Sequence, residues 1–148
     1  MKRVGVYAGS FDPFTIGHAD IVSRALQLLD ELYIVLGQNI AKQPFQSVEE
    51  RMKFIEELYR DDSRIKVVAY DGIVANYAKE QGAVLVRGLR GIGDLDNEQT
   101  LAEVNRSYFG VETICLFAAP DHRIISSSLI RELAAFGEDY SEYIPLRD

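Results

Sequence analysis

Val4-Gly5-Val6-Tyr7-Ala8-Gly9-Ser10-Phe11-Asp12-Pro13-Phe14-Thr15-Ile16-Gly17-His18-Ala19-Asp20-Ile21-Val22 carries a strand, a polar loop and a helix start in one run. Val4–Ala8 is apolar and short, which reads as a buried strand. Ala19–Leu29 is amphipathic, with apolar residues at 21, 22, 25, 26, 28 and 29, which reads as a helix. The turn formers and polar groups between them place His18 at the helix start. Such a start offers free backbone N–H groups and partial positive charge, so it suits an anion such as phosphate. Gly9 and Gly17 leave room for backbone close to a ligand. Taken alone, Gly17-His18 fits a turn with a solvated imidazole equally well.

Outward from this stretch, strand and helix signals alternate. Leu32–Leu36, Ile65–Ala69, Ala83–Val86 and Glu112–Phe117 are short apolar runs. Ser47 with Glu50 has capping-box spacing and opens a helix through Leu58. Ile73–Glu80, Asp94–Phe109 and a segment from the serines 126–128 to Phe136 complete the helices, and Gly137 is a stop signal. Apolar strand runs separated by helices imply parallel pairing with right-handed crossovers. The expected fold class is α/β: one domain over 1–148, a doubly wound, Rossmann-like, five-stranded parallel sheet with helices on both faces. Such sheets bind ligands beyond the strands' carboxyl ends, where strand order switches. Loops distant in sequence then share one cleft.

The 148 residues suit a single core, with 47% hydrophobic and 26% charged residues. A net charge of −7 argues against broad nucleic-acid binding, though not against a phosphate gripped by locally gathered cations. No apolar run is long enough to span a bilayer, and Met1-Lys2-Arg3 runs straight into the first strand without a signal-peptide pattern. Cys115, the one cysteine, sits in an apolar run and is expected to be a packed thiol. These features point to a cytoplasmic chain with neither membrane nor nucleic-acid partners.

Three further loops carry candidate chemistry. Lys42 follows the second strand; it is either a solvated loop lysine or a phosphate contact beside the first loop. Val86-Arg87-Gly88-Leu89-Arg90-Gly91-Ile92-Gly93 places two arginines among three glycines after the fourth strand. Arginine grips phosphate with paired donors, so this loop is expected to hold phosphate. Ser126-Ser127-Ser128 opens the last helix, where capping needs only one serine. No cluster of Cys, His, Asp and Glu has metal-ligand spacing, so no resident metal is expected. Asp12, before Pro13, reads as an Asx-turn residue.

The first loop, Gly9-Ser10-Phe11-Asp12-Pro13 with Thr15-Ile16-Gly17-His18, resembles the signature of the nucleotidylyltransferase superfamily. Arg87-Gly88-Leu89-Arg90, Asp94 with Glu98, Asn105-Arg106, Ile125-Ser126-Ser127-Ser128 and Lys42-x-Pro44 with Glu49-Glu50-Arg51 narrow the likeness to the bacterial phosphopantetheine adenylyltransferase family. It covers nearly the whole chain in order. The triple serine differs from the Ser-Thr-Thr typical of cytidylyltransferases.

The resemblance implies transfer of an adenylyl group from ATP to 4′-phosphopantetheine, giving dephospho-CoA and pyrophosphate, with Mg²⁺ arriving on the ATP. It implies catalytic roles for His18, Lys42 and Arg90. Ser10, Lys42, Val74 and Arg87 would bind the acceptor. Ser10, Phe11, Gly17, His18, Gly88, Leu89, Arg90, Glu98 and the segment His122, Arg123, Ile124, Ile125, Ser126, Ser127, Ser128 would bind ATP. It further implies a homohexamer and feedback by CoA. The alternatives are a cytidylyltransferase acting on a small phosphorylated alcohol and a noncatalytic CoA- or nucleotide-sensing module. This chain departs from the family in having Ser10 for threonine, Ile16 for asparagine, and Asp94-Leu95-Asp96-Asn97-Glu98 without the usual aromatics. The segment before the serines is also shorter.

Overall fold

The computed structural model describes residues 1–37 and 43–146. Its order is β1 (Val4–Gly9), α1 (Ile16–Ala25), β2 (Glu31–Gly37), α2 (Val48–Leu58), β3 (Ile65–Tyr70), α3 (Val74–Glu80), β4 (Val84–Leu89), α4 (Ile92–Phe109), β5 (Thr113–Phe117) and α5 (Ser127–Ala135). Short 3-10 turns at Pro120–His122 and Ser141–Tyr143 flank α5. The strands form one parallel sheet in the order β3-β2-β1-β4-β5. The expected doubly wound architecture is therefore present, and its switch point falls between β1 and β4.

Strand periodicity divides the core into two layers. Tyr7, Leu32, Ile34, Leu36 and Val86 face α1 and α2, where Ile21, Val22 and Ile55 pack on them. Val6, Val35 and Leu85 face the other side, with Ala78 of α3 and Val111. The same alternation carries β4 onward: Gly88 is turned to α1, where an added Cβ would stand 3.2 Å from the Ile21 side chain. Arg87 is turned to the opposite face, toward α4.

Several boundaries differ from the sequence reading. Arg87-Gly88-Leu89 belongs to β4 and not to a loop, because β5 continues pairing alongside it, Arg87 with Cys115 through Leu89 with Phe117. The first helix starts at Ile16, because Thr15 caps it. Cys115 is exposed, since it lies on the edge strand β5. At Gly9 an added Cβ would meet the Phe11 ring at 3.2 Å, so a side chain there would crowd that ring. Asp12 makes no Asx turn. Its buried carboxylate accepts the N–H groups of Phe45 and Gln46, both at 2.8 Å, and so ties the segment before α2 to the first loop. Ser47 caps α2 as expected, accepting the Glu50 N–H at 3.1 Å. In the C-terminal segment Tyr140 reaches the Phe45 ring, centroids 6.3 Å apart, whereas Leu146 is exposed.

Arg51 is the buried clamp of this assembly. Its Nη1 donates to the Ser10 carbonyl at 2.6 Å, and its Nε donates to the Gln46 carbonyl at 3.1 Å. Arg51→Leu removes those donors while the acceptors stay enclosed, so it should cost about 2–4 kcal/mol of folding stability. Urea unfolding of the two proteins measures this; a loss within experimental error would show that Arg51 is dispensable to the loop.

Candidate active site

The carboxyl ends of β1 and β4 open into a cavity of about 340 Å³. Ser10, Phe11, Gly17 and His18 line it from the first loop and α1. Arg87, Gly88, Arg90 and Glu98 line it from β4 and α4, and His122, Ile125 and Ser126, Ser127 and Ser128 line it from the segment after β5. Three residues expected to bind ATP are absent from its wall. Leu89 is buried in the core, and Ile124 is 75% exposed. Arg123 donates from Nε to the Arg90 carbonyl at 2.8 Å, bracing the loop from behind. Lys42 lies outside the described residues. Ile16 begins α1, and nothing in its surroundings explains why this chain has isoleucine there.

His18 is held by a reciprocal cap. The Thr15 N–H donates to His18 Nδ1 at 2.9 Å, while the His18 N–H donates to Thr15 Oγ1 at 3.2 Å. Phe11 and Phe14 enclose the ring, with centroids 5.0 and 5.3 Å from it. Phe11 itself has φ of 48°, in the left-handed region that bulky residues seldom adopt. Burial, reinforced by the Arg90 charge, lowers the His18 pKa to about 4. A neutral imidazole whose Nδ1 accepts a backbone proton must carry its own proton on Nε2. His18 is thus an uncharged donor at neutral pH.

The two arginines are differently engaged. Arg87 forms a two-point ion pair with Glu98, Nε to Oε2 at 2.8 Å and Nη2 to Oε1 at 2.7 Å, and Nη1 donates to the Ala8 carbonyl at 3.3 Å. A guanidinium has five N–H groups, so one remains on each terminal nitrogen. Arg90 is looser: its backbone N–H donates to Asp94 at 2.9 Å and its Nε stands 3.8 Å from the same oxygen. Arg87 and Glu98 also line a second, mainly apolar cavity of about 210 Å³. Val74, Leu101 and Asn105 are among its other walls. The ion pair therefore stands where a polar site and an apolar site meet.

The serine run divides its labour. Ser126 caps α5 by accepting the Leu129 N–H at 3.1 Å. Ser127 donates to the Pro13 carbonyl at 2.8 Å, docking the helix on the first loop. Ser128 accepts from Arg131 at 3.0 Å, and Arg131 also donates to the Asp12 carbonyl at 2.7 Å. Arg131 lines the cavity, and among the described residues no carboxylate lies within 4.0 Å of it. Sequence reading missed it, although its helical spacing from Ser128 was the available signal. It also missed Thr15, whose spacing to His18 is that of a capping box with histidine in the acidic position.

Comparison with known proteins bears on this arrangement. The cytidylyltransferase-like family model matches residues 6–133. The phosphopantetheine adenylyltransferase of Bacteroides thetaiotaomicron is 41% identical over 144 residues, covering 97% of this chain and 95% of that one. The chain belongs to the phosphopantetheine adenylyltransferase family. Its relative of the same name from Phocaeicola vulgatus is 43% identical over the same shares of both chains. The one from Thermotoga neapolitana is 41% identical over 95% of this chain and 89% of that one. A crystal structure of a bifunctional NMN adenylyltransferase/ADP ribose pyrophosphatase from Francisella tularensis, complexed with AMP and a Mn ion, superposes with a TM-score of 0.71. At 17% identity this likeness speaks to the fold; it covers all of this chain and 46% of that one. In this chain the first loop, the end of β4 and the serine run, which carry the family likeness, all contribute to the wall of one cavity.

The His18 arrangement has a consequence for pH. The folded chain resists protonating a ring that the unfolded chain protonates near the ordinary 6.5. The stability this contributes is full above pH 6.5 and is lost progressively as pH falls toward about 4. Titration of the His18 ring followed by NMR should show Nδ1 unprotonated and a midpoint well below 6. A midpoint near 6.5 would contradict the enclosed, neutral ring.

Proposed function

We propose that this chain transfers the adenylyl group of ATP to 4′-phosphopantetheine, forming dephospho-CoA and pyrophosphate. The observation that carries this reading is the junction of the two cavities at Arg87 and Glu98. An acceptor with a phosphate head and a long, largely apolar arm needs such a pair. The head would sit among Ser10, Lys42 and Arg87, and the arm beside Val74. ATP would occupy the larger cavity, with phosphates near His18, Arg90 and the α5 N-terminus and the nucleoside under residues 122–128. Arg131, without a carboxylate partner among the described residues, suits the triphosphate's remaining charge.

The chemistry needs little covalent help from the protein. A phosphate monoester has a second pKa near ~6, so the acceptor is largely dianionic at neutral pH and needs no general base. One acceptor oxygen forms a bond to the α-phosphorus while the bond to the bridging oxygen breaks, and pyrophosphate leaves with that electron pair. The protein must align two anions and stabilise charge on the α-phosphate. The His18 Nε2–H donates to that charge without having to lose a proton. A neutral donor serves because the surrounding arginines supply the net charge. Mg²⁺ would arrive on the triphosphate and supply charge neutralisation; the lining carboxylates Asp94 and Glu98 each face an arginine, which leaves the metal to phosphate oxygens and water.

The α4 surface supports self-association. Its one buried residue is Glu98, whereas Ile92, Val104 and Tyr108 are exposed on it, Ile92 by 90%. Apolar side chains in that number along one helix suit burial against further copies of the chain, and the family resemblance suggests six. CoA, sharing the product's pantetheine arm, would compete for the same cavities. A cytoplasmic location suits these substrates, and no helix among the described residues is long and apolar enough to cross a membrane.

Turnover with ATP or CTP, each offered with 4′-phosphopantetheine or glycerol 3-phosphate, tests the substrate pair. Product from ATP and 4′-phosphopantetheine is expected; preference for CTP with glycerol 3-phosphate would replace the reading with the cytidylyltransferase alternative. His18→Ala should lower turnover ~10²–10³-fold, the usual loss for one transition-state donor. Near-normal turnover in a folded variant would remove His18 from the mechanism. In calorimetric titrations Arg87→Ala should chiefly weaken acceptor binding and Arg90→Ala chiefly ATP binding; the reverse pattern would exchange their roles. Sedimentation equilibrium should give six times the 16.7 kDa chain mass, and a monomer would overturn the assembly.

A further inference from the structure

The chain has two histidines, and both line the larger cavity. Their inner nitrogens meet opposite partners. His18 Nδ1 faces a backbone N–H, which forces the proton to Nε2. His122 Nδ1 is buried with no hydrogen-bond partner among the described residues. The Asp20 carboxylate lies beside it, with Oδ2 at 3.9 Å. An unprotonated Nδ1 would turn a lone pair on a carboxylate, which is repulsive; a protonated one would donate to it. The carboxylate is itself fixed. Arg24 Nη1 donates to Asp20 Oδ2 at 3.1 Å and to the Phe117 carbonyl at 2.6 Å, bracing α1 against the end of β5.

We propose that Asp20 is a positioning residue that holds the Nδ1 proton of His122 and so presents Nε2 to the cavity as an acceptor for the exocyclic amino group of the base. This deepens the proposed function and rests on its placement of the nucleoside beneath residues 122–128. The two rings then have complementary duties. His18 offers a proton and suits phosphate oxygen, while neutral His122 offers a lone pair, which phosphate oxygen repels and an amino group satisfies. A base with a carbonyl at that position meets lone pair against lone pair. At 3.9 Å the Asp20 contact is longer than a hydrogen bond, and a base held against the ring would close it.

The test compares ATP with purine riboside triphosphate, which lacks only the amino group. kcat/KM is measured for both nucleotides with 4′-phosphopantetheine. The natural chain should favour ATP by about 3- to 10-fold, the range for one neutral hydrogen bond. His122→Phe keeps a planar ring without nitrogens and should bring the ratio near one. Asp20→Ala should do the same, and the double variant should add nothing further. A merely structural brace would slow both nucleotides equally, so an unchanged ratio in either single variant overturns the proposal. So does a natural chain with no preference. If that chain releases no pyrophosphate from ATP and 4′-phosphopantetheine, the functional reading itself falls, and this inference with it.

Discussion

The hydrogen bond from the Thr15 N–H to His18 Nδ1 governs which nitrogen of the ring faces the cavity with a proton. Much of the neighbouring structure serves to keep that bond in place. Phe11 and Phe14 shut the ring in, and burial keeps it neutral. Ser127 fastens α5 to Pro13, and Arg51 fastens the first loop to the start of α2. A flexible, solvated imidazole would split its time between two tautomers and a charged form. The enclosed one offers a single donor in a fixed direction, which is how a preorganised site stabilises developing charge without reorganising.

Charge placement follows the same economy. Glu98 neutralises Arg87, and Asp94 stands beside Arg90, so the cavity does not hold two bare arginines together. Among the described residues Arg131 has only neutral acceptors, the Asp12 carbonyl and the Ser128 hydroxyl. On the proposed function, an incoming polyphosphate would meet donors already oriented by partners that compete weakly or incompletely for them. The overall charge of −7 coexists with this local excess, because the described cavity wall carries two carboxylates, Asp94 and Glu98, against Arg87, Arg90 and Arg131.

The sheet was legible because its strands are short apolar runs set between helical segments, and parallel order follows from that alternation. The end of β4 was not, because Arg87 and Gly88 look like loop residues. Their strand placement depends on β5 pairing beside them, a contact distant in sequence. Asp12 before Pro13 carried a turn signal, but its carboxylate is claimed by Phe45 and Gln46, far along the chain. Cys115 sits in an apolar run, yet apolarity alone does not distinguish a central strand from an edge. The polar motifs told which residue types gather in the cavity. They did not tell that Arg87 is bound by Glu98, that each serine has a separate task, or that Arg131 joins them.

Fate of the α-phosphate tests the central claim, direct transfer past an uncharged His18 donor. ATP radiolabelled at the α-phosphate is incubated with the chain, with and without 4′-phosphopantetheine, and label is followed on protein and small molecules. Label should pass to dephospho-CoA only when the acceptor is present, with none on the protein in its absence. Label retained covalently by the protein without acceptor would contradict the account.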